Sequence, residues 1–273
     1  MPRSVLLCPP TFFDVSEAKN PYMRLPIDRI RAQHQWEKLR HALEESGLEV
    51  ETIDPVRHLE DMVFAANQVF VGNHKEIGKF VVPSRMRHPS RHKEVPFYVE
   101  WFRKRRYKVI DLNLAGDYLE GHGDLLWHPD HSKIWAAYGF RSTRGGVQKF
   151  AAAMQGLGFP VIDLELVDEY CYHLDTCLCP LNNEAALIYL GAFSPKSLEK
   201  VRNGWKRIHE LSAEEAHHFM VNGIVANGRY ITPRATPNLT QILSREGLTP
   251  VLVDTSEFEK SGGSAFCMKV FLD

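Results

Sequence analysis

Six short stretches hold the residues whose types and spacing could do chemistry. Cys267 lies in the closing stretch SGGSAFCMKVFLD, behind Gly262 and Gly263. Chain ends fray unless something ties them down, yet FCMKVFL is apolar and strand-like, so its thiol is expected to be held in place. As a thiolate it would be a nucleophile. In EYCYHLDTCLCPL, His173 and Asp175 are one residue apart, and on a strand their side chains would share a face. Both would need partners if buried, and a backbone carbonyl is the plainest one for a histidine. YLEGHGDLLW sets Glu120 and Asp124 around two glycines, a turn that could aim carboxylates into a cleft or form an ordinary surface loop. Nucleophile, acid–base group and charge stabiliser are thus all present in type. No short spacing requires them to meet.

Two further groups could bind rather than react. Asp61 and Asn67 bracket the apolar run in LEDMVFAANQVFVG, where Asn67 reads as a turn residue or as a paired donor and acceptor for a planar ligand. Arg87 and Arg91 in PSRMRHPSRH, with Arg141 and Arg144 in YGFRSTRGG, could hold a carboxylate by paired hydrogen bonds or lie on solvated faces. His173, Cys177 and Cys179 form H-x3-C-x-C, which lacks the four ligands of a structural zinc site, and no metal is expected. His128 and His131, and His217 and His218, read as surface or cap residues, while Trp36, Trp101 and Phe102 read as core. No phosphate-cradling G-x-x-x-x-G-K-S loop occurs.

The elements that must position these residues mix throughout the chain. Strands are expected in SVLLC, LEVETID, QVFVG, KFVVPS, YKVIDLN, KIWAAYG, PVIDLELV, LCPL, AALIYLG, GIVANGRYITP, TPVLVDT and FCMKVFL. Helices are expected over 28–46, 90–106, 144–157, 194–202, 212–218 and 236–247, with Gly47 and Gly247 as stops and Ser212 as a cap. No linker or low-complexity tract divides residues 1–273, so one α/β domain is the simplest organisation. Groups of strand, turn and helix recur at intervals of roughly 50 residues. That rhythm leaves a layered sheet and a propeller of modules both open.

Composition narrows the function classes. The 33 Lys and Arg against 34 Asp and Glu provide no general field for nucleic acid or an anionic membrane. No apolar window approaches the roughly 18 residues of a membrane span. The N-terminal apolar run is interrupted by Pro9 and Pro10 and is too short for a signal sequence, so a soluble cytoplasmic protein is expected. Five cysteines without regular spacing point to reduced thiols.

Taken in order, DMVFAAN, EGHGD, YHLDT and GGSAFC resemble the guanidino-group modifying enzymes, the pentein superfamily of arginine deiminases, dimethylarginine dimethylaminohydrolases and amidinotransferases. The resemblance runs from CPPTFFDVSEAKNPYM to the terminal strand. It implies a pentein α/β propeller, five ββαβ-type modules around a pseudo-fivefold axis with the site at the centre. It further implies that Cys267 attacks a guanidinium carbon, that His173 protonates the departing amine and then activates water, and that Glu120 and Asp175 hold the cation. No metal or organic cofactor is implied. Asn67 stands where many relatives have an acidic residue, and together with Asn20 in NPYM it resembles the arginine dihydrolases, which take arginine to ornithine, ammonia and carbon dioxide. Asp61, at the head of DMVFAAN, is expected at the substrate. Arg141 and then Arg91, or in another register Arg87, are expected near the substrate carboxylate. His122 lengthens a turn that many relatives write EGGD, which leaves the role of Asp124 open. Dihydrolases of this kind with two domains carry a C-terminal domain for which 273 residues leave no room.

Competing expectations are a deiminase or dimethylargininase giving citrulline, an amidinotransferase, an inactive arginine sensor, and a zinc protein built on HLDTCLC. A small-molecule substrate is the expected partner, and homo-oligomerisation stays open.

Overall fold

Apolar residues occupy both faces of the inner strands, and this dictates how the strands are covered. Val5 and Leu7 enter one hydrophobic cluster while Leu6 between them enters another. Ile134 and Ala136 likewise part from Trp135 and Ala137, and Ala185 and Leu187 from Ala186 and Ile188. Side chains alternate along a strand, so each such strand needs packing on both sides.

The computed structural model describes residues 3–24 and 26–272; residues 1, 2, 25 and 273 of the expected domain lie outside them. It meets that demand with a ring of five three-stranded sheets. The first contains β1 (Ser4–Leu7) and β2 (Glu49–Thr52), joined by helix α1 (Arg29–Glu45). The second has β3 (Val69–His74), β4 (Gly78–Pro83), α2 (Val95–Lys104) and β5 (Lys108–Val109). The third has β6 (Leu125–Trp127), β7 (Ile134–Tyr138), α3 (Arg144–Gly156) and β8 (Val161–Glu165). The fourth has β9 (Leu178–Pro180), β10 (Ala185–Ile188), α4 (Pro195–Gly204) and β11 (Arg207–Glu210). The fifth has β12 (Ile224–Ala226), β13 (Arg229–Thr232), α5 (Pro237–Arg245) and β14 (Thr249–Leu252). In every sheet the middle strand pairs antiparallel on one side and parallel, across the helix, on the other. β15 (Lys269–Phe271) supplies the missing antiparallel strand of the first sheet, Val5 opposite Phe271 and Leu7 opposite Lys269. The ββαβ propeller is therefore observed, and the layered sheet is excluded.

No module owns its core. Each of the five clusters lies between neighbouring modules, as where Leu6 and Val270 of the first meet Val71 and Phe102 of the second. Side-chain caps fix where helices begin: Asp28 accepts from Arg31 N, Thr143 from Gly146 N and Thr236 from Leu239 N. Ser212 forms a reciprocal capping box with Glu215. No helix among the described residues is long and apolar enough to cross a membrane.

Several expected elements are shorter or of another type. The helix over 90–106 is two helices, Pro89–His92 and α2, because Pro96 fits only the first turn of a new helix. GIVANGRYITP is a hairpin, β12 and β13, turning at Asn227 and Gly228 with φ of 44° and 78°. Within YKVIDLN only Lys108–Val109 pairs. YHLDT is not a strand: His173 is extended and Leu174–Thr176 forms one 3-10 turn. Cys267 precedes the terminal strand, in a turn where Met268 N bonds Ser264 O at 3.3 Å.

Candidate active site

The glycine turn is built by close backbone approach. Glu120 precedes the short helix Gly121–Asp124 that leads into β6. Gly121 has φ of +45°, and a Cβ there would strike the carbonyl oxygens of Ala66, Asn67 and Val69. A Cβ on Gly123 would collide with Asn67 Nδ2. His122, the lengthening residue, clamps this contact: its backbone N–H bonds Ala66 O at 2.7 Å, its Nε2 accepts from Val71 N at 3.0 Å, and its Nδ1 donates to Leu125 O at 3.1 Å. Burial and the nearby Lys269 push its pKa down to about 3, so the ring is neutral.

Glu120 is fully buried and joins three elements. Oε1 accepts from Arg87 N at 2.8 Å, and Oε2 lies 2.8 Å from His173 Nε2 and 3.1 Å from Arg141 Nη1. Burial alone would raise the Glu120 carboxyl, but Arg141 and His173 outweigh it and hold it below the usual carboxylate range. His173 is pushed down to about 4 by burial, which the Glu120 hydrogen bond only partly offsets, so its imidazole is neutral. Asp124 has a bracing role instead: it accepts from Ser142 Oγ at 2.6 Å, Ser142 N at 3.1 Å and Leu174 N at 3.3 Å. It ties the turn after His173 to the start of α3.

Cys267 faces a different carboxylate. Its Sγ donates to Asp175 Oδ2 at 3.1 Å and accepts from Asn222 Nδ2 at 3.3 Å. Asn222 also donates to Asp175 O at 2.9 Å and receives Cys267 N on Oδ1 at 3.4 Å. Burial first, and then the Asp175 charge, push the thiol well above its ordinary range. Burial raises Asp175 itself to about 7. Because Leu174–Thr176 is a 3-10 turn, His173 serves Glu120 while Asp175 serves Cys267, rather than both sharing one strand face.

The cavity that His173 and Cys267 line also takes Asn67, Arg91, Arg141, Asp61 and Asn20 into its wall. Arg91, which can only donate, bonds Asn67 Oδ1 at 3.1 Å, Asp61 O at 3.2 Å and Glu94 Oε2 at 3.2 Å. That fixes the Asn67 amide with Nδ2 close to Gly123 and without a hydrogen-bond partner among the described residues. Asp61 Oδ2 lies 3.0 Å from Lys19 Nζ. Asn20 Nδ2 donates to Ser261 O at 2.9 Å. Arg141 also bonds Lys19 O at 3.2 Å and stacks over Tyr172 at 4.6 Å.

Every expected site residue thus converges on this region except Arg87 and Arg144. Arg87 contributes its backbone N–H while its side chain lies over Tyr118, and Arg144 stays exposed over Tyr138. The H-x3-C-x-C grouping comes apart: Cys177 Sγ points at His173 O, and Cys179 Sγ at Gly223 O in another module. His128 is core rather than surface, packed 4.3 Å from the Trp205 ring. Asn222, Lys19, Tyr172 and Ser142 were not evident from sequence. Asn222 in VNG reads as a turn residue, and only long-range packing brings it to Cys267.

Comparison with known proteins shows the family and the fold. AgrE of Nostoc, a bifunctional arginine dihydrolase/ornithine cyclodeaminase, is 35% identical over 96% of this chain, which spans only 37% of AgrE. The N(G),N(G)-dimethylarginine dimethylaminohydrolase of Mycobacterium tuberculosis is 34% identical over 97% of the chain and 84% of its own length. The N-terminal domain of the cyanobacterial arginine dihydrolase ArgZ, solved as a cysteine-to-serine variant bound to substrate, superimposes with a TM-score of 0.91 at 32% identity, covering 98% of this chain and 97% of that one. The pattern for N,N dimethylarginine dimethylhydrolase, eukaryotic, matches residues 19–272. With Cys267 and His173 in the wall of one cavity and Glu120 bonded to His173, all inside that span, the chain belongs to the dimethylarginine dimethylhydrolase family.

Proposed function

We propose that the protein hydrolyses arginine twice through covalent Cys267 intermediates, giving ornithine, two ammonia and carbon dioxide. The observation that carries this reading is the Asn67 amide in the cavity wall, whose Oδ1 is taken by Arg91 and whose Nδ2 has no hydrogen-bond partner among the described residues. A carboxylate at that position would hold a guanidinium but repel a ureido oxygen. An amide N–H with no other partner donates to that oxygen, and retains citrulline for a second attack.

The substrate guanidinium enters beside Glu120 and Asp175, and its charge favours the Cys267 thiolate that the free site disfavours. Sγ bonds to the guanidinium carbon. The C–N bond to the terminal nitrogen breaks, and the thiol proton leaves on ammonia by way of neutral His173, whose imidazolium Glu120 stabilises. His173 then takes a proton from water, which replaces sulfur and yields citrulline. Repetition at the ureido carbon gives an N-carboxy product that loses carbon dioxide to leave ornithine. Arg141 exchanges Glu120 for the substrate carboxylate as the cation arrives.

Product analysis with arginine tests this. Ornithine with two ammonia per turnover, absent with Cys267→Ala, is the expected result, and Asn67→Asp should shift products toward citrulline by about tenfold or more. Citrulline alone from the native protein would leave a single hydrolysis. An unchanged product ratio in Asn67→Asp would remove the role given to Asn67.

A further inference from the structure

Of the residues in the cavity wall, Lys19 has no part in the hydrolysis described above. It comes from the segment between β1 and α1, and its side chain is buried to 1% exposure. Its ammonium stands 3.0 Å from Asp61 Oδ2, with Glu60 and Glu17 farther off at 3.7 and 3.8 Å. The close pair is not aligned as a hydrogen bond: neither Lys19 Nζ nor Asp61 Oδ2 has a hydrogen-bond partner among the described residues. Neighbouring contacts hold the segment in place, since Lys19 O accepts from Arg141 Nη2 at 3.2 Å and Asn20 Nδ2 donates to Ser261 O at 2.9 Å. The cavity is left with about 10 Å³ of free space, roughly the room of one water. Any guanidine must therefore displace side chains of the wall.

Arginine brings two cations to this site. On the reading above its guanidinium goes to Glu120 and Asp175, so its α-ammonium needs a further carboxylate. Among the described residues Asp61 is the one carboxylate in the cavity wall, and Lys19 already stands on it.

We propose that Lys19 is a specificity-determining residue: its ammonium takes the place at Asp61 that the α-ammonium of an amino acid would take, so the substrate class is ω-guanidino acids with or without an α-amino group.

Two ammonium groups on one buried carboxylate repel each other. Arginine must either push Lys19 toward Glu60 and Glu17 or share Asp61 with it, and both lower the worth of the new contact. A guanidino acid without the amino group leaves Lys19 on Asp61 and still offers its carboxylate to Arg141. Specificity is a difference of two affinities, and an internal competitor for one of them narrows it. The remaining contacts of the Asp61 carboxylate are weak ones, Ser261 Oγ at 3.5 Å and Arg91 Nε at 3.8 Å, so Lys19 is its main counter-charge. The inference rests on a guanidino acid as the substrate, but not on whether one or two hydrolyses follow.

The experiment compares arginine with 5-guanidinopentanoate, which is arginine without its α-amino group, in the native protein and in Lys19→Met, which keeps the length and removes the charge. The ratio of kcat/KM, arginine over the analogue, should stay below about tenfold in the native protein and rise roughly tenfold in Lys19→Met, mainly through a lower KM for arginine. Dissociation constants measured by calorimetry in Cys267→Ala should follow the same ratio. In an Asp61→Asn background Lys19→Met should leave the ratio unmoved, because the contested charge is gone. A native ratio well above tenfold, or a ratio that Lys19→Met leaves unchanged or lowers, overturns the proposal and leaves the substrate reading standing. Binding of neither compound by Cys267→Ala overturns both. Should Lys19→Met not fold, NMR of lysine-labelled Cys267→Ala, assigned with Lys19→Arg, decides instead: the Lys19 ammonium signal must shift with arginine and hold still with the analogue, and equal responses overturn the proposal.

Discussion

At the scale of single residues, burial sets the protonation of the candidate reactive groups. Cys267 is kept a thiol and His173 neutral, both chiefly by burial, and on the proposed reading the positive charge of the substrate favours the thiolate. The arrangement has a cost in stability that can be measured. Asp175 has a folded pKa raised to about 7, above its unfolded value, so the stability it contributes is present at low pH and is lost as pH rises through 7. Asp175→Asn removes that loss. In urea unfolding, the variant should gain on the order of 2 kcal/mol relative to the native protein between pH 5 and pH 8, while losing activity. A stability difference independent of pH would mean that Asp175 is not the titrating group.

At the scale of elements, the first turn of α3 links stability to substrate binding. Thr143 caps the helix through Gly146 N and also bonds Asp117 and Tyr118, while the adjoining Ser142 and Arg141 hold Asp124 and Glu120. Thr143→Ala should cost about 1 to 2 kcal/mol. Because Arg141 is the group assigned to the substrate carboxylate, KM should rise more than kcat falls. Steady-state kinetics alongside thermal unfolding check both parts. By contrast Ser212→Ala, at a capping box away from the cavity, should cost about 1 kcal/mol with kinetics unchanged.

At the scale of the whole molecule, the five cores lie between modules, so no module buries its apolar strands alone. β15 closes the ring on β1. A circular permutant joined across that edge and opened at the exposed Lys75–Gly78 turn keeps all five interfaces. It should unfold in a single transition and retain hydrolysis, as followed by denaturation and product assay. Two transitions would show that one module is stable by itself.

The sequence by itself determined the local features. Alternating apolar strands, helix caps and the stops at Gly47 and Gly247 depend on neighbours along the chain, and most of them were legible. So were the types of the reactive groups in GGSAFC, YHLDT and EGHGD, and their resemblance to a family. Tertiary structure decided the pairings. That His173 meets Glu120 while Asp175 meets Cys267 depends on a 3-10 turn whose hydrogen bonds come from Asp124 and Asn222, residues 50 and 47 positions away from their partners. The split at Pro96 and the hairpin at Asn227 and Gly228 carried local signals that apolar runs concealed. Lys269 carried none: two residues after Cys267 in an apolar strand it reads as an ordinary exposed edge charge. Only closure of the ring buries its side chain, because the pairing of β15 with β1, Lys269 opposite Leu7, sets which face of that strand is covered.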